Sequence, residues 1–198
     1  MPTAKRQIYD DAIYHIIQRG NNRQVIFREE CDFKKFLSII RGYKWIYPFE
    51  IYNYCLMQNH MHFLIRISNA KELAKIMQGI FQSYRFYFRK KYQYTGYLYQ
   101  GRYKSKVIER DEYLLECARY IERNPLRARI VTDLRDYKWT SYGFYGHGYK
   151  GYKNRLITPN PLYLTLSNSD KRRRKLYKEY ITESRIYEEM LDKEFKIR

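Results

Sequence analysis

The order in which two apolar periodicities alternate along this chain restricts its fold more than any other feature. Ala12 to Gln18 (AIYHIIQ) is β-branched and aromatic and runs into Gly20-Asn21-Asn22, the pattern of a strand ending in a turn. From Glu29 to Tyr43, the residues Phe33, Phe36, Leu37 and Ile40 recur at three- and four-residue spacing behind an acidic first turn, which predicts a helix. Phe49 to Met57 and Met61 to Ile67 are strand-like, and Gln58-Asn59-His60 alone separates them, as in an antiparallel hairpin. Ala70 to Lys91 places Leu73, Ile76, Met77, Ile80, Phe81, Tyr84 and Phe88 on one helical face. Tyr103 to Glu109 reads as a fourth strand. Asp111 to Asn124 reads as a helix that stops before Pro125. The order β-α-β-β-α-β predicts an α+β fold. Its expected form is a ferredoxin-like antiparallel sheet with helices on one face, plus an additional helix after the fourth strand and a C-terminal helix over Lys171 to Phe195 that carries Leu176, Tyr180, Tyr187 and Leu191 on roughly one face.

Charge and aromatic content narrow the partner. Lys and Arg number 39 against 21 Asp and Glu, a formal net charge of +18, and 24 residues are Tyr. Such a balance suits a polyanion, and nucleic acid more than a membrane surface. The excess is not evenly spread. From Leu73 to Ile108 there is no Asp or Glu, while Arg85, Arg89, Lys90, Lys91, Arg102 and Lys104 alternate with Tyr and Phe. Cations neutralise phosphates and rings stack on unpaired bases, so these six are candidate DNA-binding residues. Arg19, Asn21, Asn22 and Arg23, at the turn after the first strand, are candidates to read backbone or base edges. The three cysteines are odd in number and widely spaced, with no CxxC, which argues against a disulfide scaffold or a thiolate zinc site. With no apolar run of membrane-spanning length and a charged N-terminus, a cytoplasmic location is expected.

The chemistry-bearing signal is His60-Met61-His62. Residues i and i+2 of a strand share a face, so both imidazoles can aim at one divalent metal ion while Met61 enters the core. Tyr120 and Asn124 lie one helical turn apart, which puts a phenol beside an amide oxygen on one face. His15, in mid-strand, is read as structural.

These pieces sit inside longer motifs. Tyr14 to Arg23 (YHIIQRGNNR), Leu56 to Leu64 (LMQNHMHFL), Thr95 to Ser105 (TGYLYQGRYKS) and Arg119 to Ala128 (RYIERNPLRA) occur in this order. Together they resemble the REP-associated tyrosine transposases, a branch of the single-tyrosine HUH transposases. The resemblance covers roughly Pro2 to Tyr145. It implies a catalytic domain over 1–145. Beyond it the residues themselves are the guide: glycines, Pro159 and few aliphatics from Gly143 to Asn160 predict a loop or linker over 146–170, and a basic helical appendage is expected over 171–198. The resemblance further implies Tyr120 as nucleophile, a 5′-phosphotyrosine intermediate, and Mg²⁺ or Mn²⁺ held by His60, His62 and Asn124. The expected substrate is single-stranded or hairpin DNA. A departure from the family is Tyr97, where His is common. A monomer is the expected state, because no apolar heptad seam is present. The alternative is a nucleic-acid-binding protein without chemistry.

Overall fold

A computed structural model of the chain describes residues 8–109, 111–149 and 156–183, with the side chain of residue 112 set aside. Strands β1 (Ala12–Arg19), β2 (Phe49–Met57), β3 (His60–Ile67) and β4 (Lys104–Ile108) form one sheet in the order β2-β3-β1-β4. All three pairings are antiparallel. With α1 (Glu30–Ile46) after β1 and α2 (Ala70–Tyr92) after β3, this is the expected ferredoxin-like arrangement.

The sheet is buried on both faces. Tyr14, Ile16, Met61, Phe63, Ile65 and Ile67 point to one side and pack with Phe36, Leu37, Ile80 and Tyr84 of α1 and α2. Ile17 and Leu64 point to the other, where they meet Leu114, Cys117, Ala118, Tyr120 and Ile121 of α3 (Asp111–Arg127). The additional helix therefore covers the face that α1 and α2 leave bare. In β2 the register shifts between Ile51 and Asn53, a bulge at Tyr52 that inverts the alternation. Phe49 and Ile51 before it, and Tyr54 and Leu56 after it, all reach the α1/α2 side.

The entry to α1 is fixed by one carboxylate. Asp32, fully buried, accepts from the Arg28 and Glu29 amides (2.8 and 3.0 Å), from the Tyr87 and Tyr92 hydroxyls (2.9 and 2.7 Å) and from Lys91 (2.9 Å). Although burial favours the neutral acid, these bonds hold its carboxyl down at about 2. The acceptor ties the first turn of α1 to the last turn of α2.

Three elements depart from the sequence-based expectation. α3 does not end at Asn124 but runs to Arg127, with Pro125 inside it. Proline has no N–H for the carbonyl of Ile121. The Asn124 side-chain amide takes its place, donating to the Ile121 carbonyl at 3.3 Å and to the Tyr120 carbonyl at 2.8 Å. The segment expected as linker carries α5 (Pro161–Thr165), and α4 (Tyr142–His147) spans its start. Leu156, Ile157, Asn160 and Tyr163 in it are buried. Tyr163 packs with the rings of Tyr145 and Tyr177, a tyrosine cluster with no helical or strand period to announce it. The C-terminal helix, α6, is described over Asp170–Thr182, and its buried residues are Tyr177 and Ile181 rather than Leu176 and Tyr180. The rest of its expected length, with Tyr187 and Leu191, lies outside the described residues. Among the described residues no helix is long and apolar enough to cross a membrane.

Candidate active site

Strand register brings the histidines together. On β1 the alternation that points Ile17 at α3 also points His15 there, and on β3 His60, His62 and Leu64 share that face. Ile17 pairs with His62 and Arg19 with His60, so His15 lies diagonally across from His62. The His15 Nε2 and His62 Nδ1 atoms are 3.0 Å apart and the two rings stack at 5.2 Å. The His60 Nδ1 lies 2.6 Å from the Asn59 Oδ1, an acceptor, so this nitrogen carries the proton. Both outer nitrogens, Nε2 of His60 and Nε2 of His62, are buried and have no hydrogen-bond partner in the protein.

Burial keeps all three rings neutral. It lowers His15 to about 3, with Lys106 adding to the effect. It lowers His60 to about 4, helped by Arg19 and opposed by Asn124. It takes His62 well below the ordinary histidine range, with His60, His15 and Arg127 as further causes. A neutral imidazole whose inner nitrogen is held by a neighbour presents a lone pair on the outer one, which is how histidine binds metals. The two unpartnered Nε2 atoms fit a divalent cation on this ground. Among the described residues no three His, Cys, Asp or Glu side chains gather in metal-holding geometry. Asn124 is the remaining donor at hand. Its amide nitrogen is occupied by the Tyr120 and Ile121 carbonyls, and it approaches His60 closely enough to raise that ring's basicity.

Tyr120 packs edge-on against both inner rings, 5.6 Å from His62 and 5.8 Å from His15. It is 1% exposed, and the Arg127 guanidinium covers its ring at 5.0 Å. Tyr113, the nearest rival on α3, stands over β4 with its hydroxyl 3.0 Å from Lys106.

The rest of α3 is anchored to α6 and to the sheet. Arg119 Nε donates to the Tyr180 carbonyl (3.1 Å), and Arg123 donates to the carbonyls of Ile181 (3.0 Å) and Thr182 (2.8 Å). Two arginines thus cap the open C-terminal end of α6. Between them Glu122, fully buried, accepts from Asn53 (2.8 Å), Tyr177 (3.0 Å) and the Ser141 hydroxyl. Glu122→Leu would strand three buried donors at about 1–3 kcal/mol each. The expected result is a loss of roughly 3–5 kcal/mol and a thermal midpoint lowered by roughly 10 °C, with Glu122→Gln clearly milder. Calorimetric melting of the two variants checks this.

The basic residues expected on DNA divide into groups. Arg19 ends β1 opposite His60 and bonds Gln100 through Nε at 2.9 Å. Asn21, Asn22 and Arg23 form a short 3-10 turn beyond it, with Asn22 and Arg23 at positive φ. Gly20 before them has no room for a side chain, since a Cβ would stand 2.3 Å from the Gln24 carbonyl oxygen. Lys104 pairs with Ile17 and so lies on the histidine face. Arg85, Arg89, Lys90 and Lys91 belong to α2, on the other face. Of these, Arg89 bonds the Tyr94 carbonyl, and Lys91 is ion-paired to Asp32 and Glu29 (2.9 and 3.1 Å). Arg102 is exposed in the segment leading to β4. Sequence reasoning counted Lys106 in the basic run, read His15 as structural and did not single out Arg127. Only the β1–β3 register brings His15 to His62, and only the continuation of α3 past Pro125 reveals Arg127.

A family model described as IS200-like transposase matches residues 8–124. No curated protein matches the chain. Among solved structures, that of the REP-associated tyrosine transposase bound to a REP hairpin is similar, with 16% identity over 81% of this chain and 93% of that one, at a TM-score of 0.65. A putative transposase from Deinococcus radiodurans R1 matches at 14% identity, over 66% of this chain and 92% of that one, with a TM-score of 0.42. The first likeness establishes a common fold. The matched span begins before β1, takes in both histidines and closes on Asn124, and on that match the chain belongs to the IS200-like transposases.

Proposed function

We propose that the chain is a metal-dependent single-strand DNA endonuclease and strand transferase that acts on hairpin DNA through Tyr120. The observation that carries this reading is the packing of the Tyr120 ring against His62, whose outer nitrogen, like that of His60, has no protein partner. Mg²⁺ or Mn²⁺ held by His60, His62 and Asn124 would supply Lewis-acid stabilisation of charge developing on the scissile phosphate. Tyr120 Oη forms the new bond to phosphorus as its phenolic proton is lost. The bond from phosphorus to the 3′ oxygen breaks, and that oxygen leaves as a hydroxyl after taking up a proton. A phenol ordinarily ionises near pH 10, so the attack needs its proton removed, and the Arg127 guanidinium stands over the ring. Lys104 and Lys106, on the same sheet face, place further positive charge where the phosphate must come. One phosphoester replaces another, so a second 3′-hydroxyl can rejoin the strand without ATP.

The REP hairpin bound by the structurally similar transposase supports hairpin DNA as the substrate class. The net charge of +18 supports a polyanionic partner. The test is incubation with a labelled hairpin oligonucleotide carrying single-stranded flanks. A covalent protein–DNA band is expected with Mn²⁺ and is expected to disappear with EDTA. Retention of the hairpin with no adduct under any divalent ion would favour the reading of a binding protein without chemistry.

A further inference from the structure

The third imidazole of the cluster, His15, has no part in the strand transfer as described. It lies fully buried in the middle of β1, between β3 and β4. An aliphatic side chain there would fill the same space without placing a polar ring away from water. The contact that His15 makes is with the inner nitrogen of His62: its Nε2 stands 3.0 Å from the His62 Nδ1. The outer nitrogen of His62, Nε2, is the one that has no partner in the protein.

That contact decides what the outer nitrogen presents. A neutral imidazole carries one N–H and one lone pair. One hydrogen lies between the two facing nitrogens. If His62 Nδ1 donates it, His62 Nε2 is a lone pair. If His15 Nε2 donates it, His62 Nε2 carries a buried N–H that no acceptor in the protein receives. Buried N–H groups without an acceptor are rare and costly, and a cation has no use for one. The neighbouring ligand shows the first arrangement. Asn59 donates its amide nitrogen to the Arg23 carbonyl at 3.3 Å, which sets the amide's sense, and its Oδ1 lies 2.6 Å from the His60 Nδ1. With His15 as acceptor, His60 and His62 carry the same tautomer and present two lone pairs. Lys106, opposite His15 on β4, opposes a second proton on that ring and so preserves an acceptor. The His15 ring also stacks on His62 with their planes 28° apart, and Tyr120 stands edge-on to both.

We propose that His15 is a positioning residue of the strand-transfer reaction: its Nε2 accepts from the His62 Nδ1–H and so holds the His62 Nε2 as the lone pair that a divalent cation binds. The inference rests on the reading of His62 as a metal ligand. His15 itself touches neither the cation nor the phosphate. Partners of this kind fix the ring orientation and basicity of a ligating histidine, and their loss weakens metal binding by roughly 10–100-fold.

The test uses the full chain as wild type, His15→Phe and His15→Gln. Phenylalanine keeps a flat ring beside His62 and Tyr120 and removes the acceptor. Glutamine keeps an acceptor on a side chain of similar reach. Heteronuclear NMR of the metal-free proteins reports which nitrogen of His62 carries hydrogen. The wild type and His15→Gln are expected to show it on Nδ1, and His15→Phe is expected to lose that preference. Titration calorimetry with Mn²⁺ in the absence of DNA is expected to give roughly 10–100-fold weaker binding for His15→Phe and a change within about threefold for His15→Gln. Hairpin affinity is expected to stay level in both, and cleavage by His15→Phe is expected to recover as Mn²⁺ is raised. A filling role alone would lower the thermal midpoint and leave the tautomer and the Mn²⁺ affinity in place. His62 protonated on Nε2 in the wild type, Mn²⁺ affinity unchanged in His15→Phe, or equal losses in the two variants overturns the inference. If His15→Phe does not fold, the wild-type tautomer and the His15→Gln affinity still decide it. Wild-type Mn²⁺ binding that depends on His60 and His62 but not on His15 leaves the metal reading standing and removes this one alone. Wild-type protein without histidine-dependent Mn²⁺ binding removes both.

Discussion

Tyr120→Phe is expected to abolish the covalent protein–DNA adduct while leaving hairpin affinity within about twofold of wild type. The substitution removes one oxygen and nothing else. The edge-on contacts of the ring with His15 and His62, and the guanidinium of Arg127 above it, are made by carbon atoms and the π-face, which phenylalanine retains. The stability cost is that of one hydroxyl, on the order of 1 kcal/mol. The loss of strand cleavage is expected to be on the order of 10³-fold or more, because the variant lacks the attacking oxygen. Tyr113→Phe is the internal comparison. Its hydroxyl bonds Lys106 over β4, so adduct formation should persist in that variant. Denaturing gels of both variants on a 5′-labelled and a 3′-labelled hairpin decide the matter. An adduct from the Tyr120 variant would disqualify it as nucleophile.

Removing the imidazoles is expected to have an effect of the same size by a different route. His60→Ala and His62→Ala each take away one of the two unpartnered Nε2 atoms, and with it half of the nitrogen donor set. Cleavage is expected to fall by on the order of 10³-fold, and hairpin binding to change by less than about threefold. Titration calorimetry with Mn²⁺ in the absence of DNA provides a readout independent of turnover. The wild-type binding heat should be lost in the double variant. His62→Ala also deprives His15 of its neighbour at 3.0 Å, so it should lower the thermal midpoint more than His60→Ala does. Undiminished cleavage by the double variant would exclude the histidine pair as the metal site.

Much of this architecture is legible in the sequence because each strand and long helix carries its own period. β2 and α2 lie within a residue of their expected limits, and the hairpin between β2 and β3 follows from the shortness of its turn. What periodicity cannot supply is which face of the sheet a helix covers. Both faces of this sheet are apolar, and α3 takes the one that its own apolar stripe gives no means of naming. The same gap hides His15. Its role beside His62 depends on β1 lying next to β3, a neighbour relation between strands more than forty residues apart in sequence. The boundary of α3 was legible in principle but depends on competition between two local rules. Pro125 argues for a stop, and an asparagine side chain donating to the carbonyls behind it lets the helix continue. Around α4 and α5 the packing is between tyrosine rings whose hydroxyls bond backbone. Tyr145 accepts from the Asn160 amide and donates to the Tyr52 carbonyl, a pattern indistinguishable in sequence from a polar loop. Lys91 illustrates the limit for charge. Its place in a basic run suggests solvent and phosphate, but Asp32 lies far away in sequence and close in space.

The central position of β1 sets apart two kinds of genetic change. Its odd-numbered residues from Ile13 to Ile17 serve the histidine face, and its even-numbered ones, Tyr14 to Gln18, serve the α1/α2 face. A base substitution in this stretch alters one side chain on one face. Loss or gain of a single codon between Ile13 and Gln18 alters both faces at once, because every residue beyond the change exchanges sides. His15 or its successors would leave the histidine cluster in the same event that carried Gln18 off the α1/α2 face. Pairing with β3 on one side and β4 on the other leaves no edge at which a bulge could absorb the error cheaply. For this strand, codon number is under tighter restraint than codon identity.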